Sequence, residues 1–261
     1  MDKQAIYNLV FGAVTAENRD QAIAEAVQKL SAQAADSVAK IGDFVWDVFN
    51  AIFDVSAQLP EEKQSNLVDL MVQLRQVAVT NTNDEPVTCE NKSVWTDLPT
   101  FGWVARKLWN FDALAPLPDG EVSKLERIST FLALLTTRAA DSNNELDFFD
   151  FSLFGLWNLR TAFEDQVPED VGDANAVRLA APWVTHAGAA LWKLSDRHVN
   201  MAENCGVPGA KYAKKGWKGF TKDRWQVWKD GFIAAANGGS PAVKEVAKTA
   251  VSQMEKASPP S

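Results

Sequence analysis

Apolar residues return every three or four positions along most of the chain, a spacing that predicts helix after helix. Ile6, Leu9 and Val10 share a face of a first short helix, and Ala22, Ala26, Val27 and Leu30 a face of a second. The cleanest stripe is Ile41, Phe44, Val45, Val48, Phe49, Ile52 and Phe53, which fits i, i+3, i+4, i+7, i+8, i+11 and i+12. Pro60 follows it. Glu61 and Glu62 then open a fourth helix with negative charge at its positive pole, and Leu67, Leu70, Met71, Leu74 and Val77 form its apolar stripe. Thr80 to Ser93 is polar and rich in turn formers, so it reads as an exposed loop.

The second half continues in the same period. Leu125, Ile128, Phe131, Leu132 and Leu135 mark a helix to about Ala140, closed by a turn from Asp141 to Glu145. Leu146 to Trp157 leads into a helix apolar on most sides, which makes it a central one. After a turn from Pro168 to Asp173, a run beginning at Ala174 meets Pro182, where the missing backbone donor must kink or restart it. Thr221 is a good N-cap for a helix with Trp225, Trp228 and Phe232 on one face. Pro241 starts a last helix. No segment alternates convincingly as a strand and no repeat of fixed period is present. The expected fold is therefore all-α: a single-domain multi-helix bundle of about nine or ten helices over residues 1–256, with 257–261 a disordered tail.

Composition narrows the setting. The net charge of −8 argues against general nucleic-acid affinity. Two cysteines, Cys89 and Cys205, are too few for a disulfide framework and point to a reducing compartment. The first residues lack a basic, then apolar, secretory pattern, and no apolar run reaches the ~18 residues of a membrane span. A cytoplasmic protein that acts on neither nucleic acid nor membrane is expected.

Candidate chemistry is sparse. His186 and His198 are the two histidines, too few for a multi-histidine metal site. His186, Asp147 and Arg106 are the candidates for acid, base or charge stabilisation. Asp141 and Glu145, one helical turn apart, are the candidate metal ligands, since carboxylates so spaced can share Mg²⁺. That spacing resembles the aspartate-rich motif of class I terpene cyclases. It departs from the family at Ser142, where a second aspartate is expected, and at Pro241, where the second metal motif needs a hydroxyl. Outside this Mg²⁺-dependent reading no cofactor is expected.

Ten tryptophans are many for 261 residues. Trp103, Trp183, Trp225 and Trp228 are candidate walls of a pocket for a small apolar metabolite, transformed without a redox cofactor if at all; the same rings would serve equally as core. From Gly206 to Asp230 seven basic residues face two acids, a local +5 interleaved with Tyr212, Trp217 and Phe220. That loop is the candidate docking element of a rival reading, a non-enzymatic interaction protein with a protein partner.

Three motifs carry a resemblance: Trp95-x-x-Leu-Pro-x-Phe-Gly-Trp-x-x-Arg, Ala181-Pro-Trp-x-x-x-Ala-Gly-x-x-Leu-Trp and Gly219-Phe-Thr-x-x-Arg-Trp-x-x-Trp-Lys. They resemble an uncharacterised family of fungal proteins grouped as a domain of unknown function, over most of residues 40 to 236. The resemblance implies one helical domain and a plausible association with secondary metabolism, and it supplies no catalytic residues. Within the first motif, Gly102 is expected to allow a tight backbone approach, Trp103 to be buried and Arg106 to pair with an acid.

Overall fold

The amphipathic stripes become ten α-helices in the computed structural model, which describes residues 1–111, 113–114, 117–142, 147–166 and 174–258. In order they are α1 (Lys3–Thr15), α2 (Arg19–Asp36), α3 (Ile41–Ser56), α4 (Gln64–Arg75), α5 (Phe101–Leu108), α6 (Asp119–Ala140), α7 (Ser152–Phe163), α8 (Ala174–Asp196), α9 (Lys222–Gly238) and α10 (Pro241–Ala257). Their contacts gather into two compact units, Met1–Phe111 and Asp112–Ser261, each described by itself. Residues 143–145 of the turn expected from Asp141 to Glu145, the turn expected over residues 168–173 and residues 259–261 of the tail lie outside the described residues.

In the first unit the predicted α3 stripe is core: Phe44, Val45, Val48, Phe49, Ile52 and Phe53 are buried, against α1 and α5. Glu61 and Glu62 do not open α4. With Lys63 they form a 3-10 turn ahead of it, and the α-helix begins at Gln64, whose buried side chain donates to Ser56 O (2.8 Å) and Leu59 O (3.1 Å). The polar loop before the first motif is not wholly irregular. Thr88–Cys89 (β1) and Lys92–Ser93 (β2) pair antiparallel across Glu90 and Asn91, both at positive φ.

The first motif packs Trp95 and Phe101 on α3. Trp95 is fully enclosed between Phe44 and Phe49, ring centroids 6.4 and 6.2 Å away, and its Nε1 donates to Ser31 Oγ at 3.1 Å. Phe101 stacks on Phe53 at 5.2 Å. Pro99 is flanked by Leu98 (φ 45°) and Thr100 (φ 69°), so the chain reverses here without a glycine. Both expectations for the following pair fail. Trp103 is 62% exposed, and a Cβ on Gly102 would meet nothing within 4 Å. The reason is helical phase: α5 buries Phe101, Val104 and Ala105, and Trp103 lies about 200° around the helix from Phe101.

In the second unit α8 is the centre, in contact with α6, α7, α9 and α10. Arg178 of α8 forks onto Glu126 of α6 with two bonds of 2.8 Å, a geometry that suits guanidinium and carboxylate. Pro182 neither ends nor restarts α8. The non-helical residue is Ala187 (φ −119°, ψ 15°), and next to it the Thr137 hydroxyl of α6 donates to His186 O at 2.7 Å. α7 and α8 are drawn together at Gly155, where an added Cβ would sit 2.8 Å from the Trp183 ring. Ala257 and Ser258, expected in the tail, are ordered: Ala257 closes α10, and Ser258 accepts the Trp225 indole N–H at 3.2 Å.

Candidate functional site

The glycine-rich basic segment between α8 and α9 is built around one buried ion pair. Arg224, in the first turn of α9, is fully buried, and so is Glu164, just past the end of α7. Nε of Arg224 donates to Glu164 Oε1 (2.7 Å) and Nη2 to Oε2 (3.0 Å). Its remaining donors reach backbone: Nη1 bonds Gly206 O (2.7 Å) and Gly219 O (2.9 Å), and Nη2 bonds Val207 O (3.1 Å). All five guanidinium N–H groups are used.

Glu164 is equally committed. Oε1 also accepts the Trp228 indole N–H (2.7 Å), and Oε2 accepts Gly209 N–H (3.0 Å). A buried charge is tolerable when it is paired and its remaining polar capacity is hydrogen-bonded, which is the case here. The guanidinium carbon lies 5.5 Å from the centre of the Trp217 ring and 5.6 Å from that of Trp228. The pair fastens the segment to α7 and α9 at four points of its backbone: Gly206, Val207, Gly209 and Gly219.

Close backbone contacts reinforce it. Met201 N–H donates to Lys218 O (2.8 Å) and Phe220 N–H to Val199 O (2.9 Å). A Cβ on Gly219 would fall 2.1 Å from Val199 O, and one on Gly206 2.1 Å from Lys218 O, so each of these glycines is required by proximity. Thr221 caps α9 as expected, accepting Arg224 N–H at 3.1 Å. Lys222 bonds Asp196 at 2.7 Å, and that bond holds the Asp196 carboxyl below its ordinary range.

What this frame presents outward is positive. Ala210–Lys215 forms a short 3-10 turn that Gly216 (φ 66°) ends, leaving Lys211, Lys214, Lys215 and Lys218 exposed. Lys215 stands 3.9 Å from Asp223; Lys211, Lys214 and Lys218 make no ion pair among the described residues. Beside this turn, the end of α7, one face of α9 and the start of α10 enclose a half-open groove of about 460 Å³.

The residues singled out by sequence fall on several elements of the two units. Trp183, Trp225 and Trp228 are fully buried in the second unit, Trp228 and Trp225 held by the bonds to Glu164 and Ser258, whereas Trp103 is exposed on α5. None of the four lines the groove. His186 is half-buried on α8 and Arg106 exposed on α5; Asp147 begins a 3-10 turn, and its side chain lies outside the described residues. Asp141 is exposed at the C-terminal end of α6, and Glu145 lies outside the described residues. Among the described residues no three histidine, cysteine or acidic side chains come together as a cation site. The sequence pattern does not single out Glu164. The available signal is indirect: Arg224 shares its helical stripe with Trp228, and a charge on a buried stripe requires a partner.

No helix among the described residues is long and apolar enough to cross a membrane. No curated protein and no solved structure matches the chain. A family model does match, over residues 49–232, and the chain belongs to that family, described as Protein of unknown function (DUF3632).

Proposed function

We propose that this DUF3632 protein is a non-enzymatic interaction module that docks an acidic protein partner through the lysine face of its second unit. The observation that carries the reading is the division of labour within the basic segment. Arg224 spends all its donors inward on Glu164 and backbone carbonyls, while Lys214 and Lys218 stand exposed with no ion pair among the described residues. A preformed, rigid set of charges binds with less ordering cost than a flexible loop would. Complementary charge also speeds encounter and selects acidic surfaces.

A pocket for an apolar metabolite draws less support. The tryptophans that would line it are divided between core positions and one exposed ring, and the indoles of Trp225 and Trp228 are engaged by Ser258 and Glu164. The basic segment belongs to a chain of net −8, which favours a protein partner over nucleic acid. A reducing compartment fits the same reading, with Cys89 and Cys205 kept as thiols.

The test is affinity purification with the wild-type chain and a Lys214→Glu/Lys215→Glu/Lys218→Glu variant, followed by binding of the purified partner at increasing salt. The expected result is a specific partner with an acidic surface, lost with the variant and weakened by salt. Identical partners for both baits, or binding indifferent to salt, would remove the lysine face from consideration.

A further inference from the structure

The groove beside the lysine face has properties of its own. Its volume of about 460 Å³ lies within the range of small-molecule sites, roughly 300–1,000 Å³. Along the α9 side it is lined by Val227, Asp230, Gly231, Ala234, Ala235 and Gly238, so apart from the Asp230 carboxylate no side chain larger than valine stands up from that floor. Gly231 is needed there because a Cβ would meet the Phe163 ring at 2.3 Å.

Two aromatic rings complete the lining, and both are braced from behind. Phe163 packs edge-on against Phe232 with centroids 4.6 Å apart, and Tyr212 stacks on Trp217 at 5.5 Å and 25°. A low floor beside two pre-set rings suits an aromatic ring system, which can pack against them.

The polar groups set the charge. Asp230 lines the groove with its carboxylate held by Gln226 Nε2 at 2.8 Å. Lys211 is exposed, with no ion pair among the described residues, and the Tyr212 hydroxyl beside it makes no hydrogen bond among them. Lys211 and Tyr212 supply an ammonium and a phenol O–H, donors that suit an anionic head, while the Asp230 carboxylate disfavours one lying against α9.

We infer that this groove binds a small aromatic anion, its rings against the α9 floor between Phe163 and Tyr212 and its acid group at Lys211 and Tyr212. This site shares Lys211 with the lysine face but not the residues on which the docking reading rests, since Lys214, Lys215 and Lys218 do not line it.

The probe is 8-anilinonaphthalene-1-sulfonate, with the uncharged N-phenyl-1-naphthylamine as its partner, both followed by fluorescence on the full chain. Saturable one-to-one binding of the sulfonate is expected, at least about tenfold weaker for Ala234→Phe, which fills the floor at an exposed helix position. Lys211→Glu weakens it about three- to tenfold. The Lys214→Glu/Lys215→Glu/Lys218→Glu variant retains it, so failure of the docking reading and failure of this one are separable. Should Ala234→Phe disturb folding by circular dichroism, Gly238→Phe replaces it, because a Cβ there meets nothing within 4 Å. Sulfonate binding that is absent, non-saturable or unmoved by the floor variant overturns the proposal, as does equal affinity for the uncharged probe.

Discussion

Arg224 and Glu164 face each other as a two-pronged pair, 2.7 and 3.0 Å apart, with neither side chain reaching solvent. Removing one partner leaves the other charge buried, whereas removing both leaves no buried charge and only the neutral partners, the Trp228 and Gly209 N–H groups and the carbonyls of Gly206, Val207 and Gly219, to be satisfied otherwise. Arg224→Met is expected to lower unfolding stability by about 3–5 kcal/mol, measured by urea titration. The double variant Glu164→Leu/Arg224→Met should lose clearly less than the two single losses combined. Strict additivity would show that the pair does not act as a unit.

The Thr137 hydroxyl bonds His186 O where α8 departs from helical geometry at Ala187. Thr137→Val keeps the shape and removes the donor, at a cost of about 1 kcal/mol in a thermal melt, while Thr137→Ser retains most of the stability. Equal melting of the two variants would make the bond irrelevant to the bend.

Two motif glycines have opposite expectations. Gly102 lies inside α5, and a methyl group added there meets open space, so Gly102→Ala should stabilise by about 0.5–1 kcal/mol. Gly219→Ala would drive a methyl to 2.1 Å from Val199 O and move a carbonyl that Arg224 uses, costing on the order of 2–4 kcal/mol. Denaturant midpoints moving the same way for both would refute the assignment of proximity to Gly219 alone.

Burial, and secondarily the Glu90 charge, pushes the Cys89 thiol up. The folded chain therefore keeps that proton to higher pH than the unfolded chain does, and stability falls as pH rises through the ordinary thiol range. Cys89→Ala should flatten the decline in stability between about pH 8 and pH 10. Native Cys89 should also react with a disulfide reagent more slowly than the same thiol in the urea-unfolded chain, and an equal rate would contradict its burial.

Helix identity is written locally. The α3 stripe, the Thr221 cap and the Pro241 start depend on residues within a few positions of one another, and each forms as its spacing predicts. Even the exposure of Trp103 is a matter of phase, legible once α5 is known to begin at Phe101. The 3-10 turn at Glu61 and the β1–β2 pair are less legible, because such short elements have almost no period to detect.

The centre of the candidate site was decided by the tertiary structure alone. Nothing near Glu164 distinguishes it from its neighbour Asp165, yet Glu164 is fully buried and accepts bonds from an arginine sixty positions later. The same holds for the indoles of Trp225 and Trp228, whose N–H groups are met by Ser258 and Glu164 from distant parts of the chain. Local spacing determines which face of an element is apolar, since that depends on backbone geometry. Which charge is desolvated, and what satisfies it, depends on contacts between distant segments that exist only after the chain has folded.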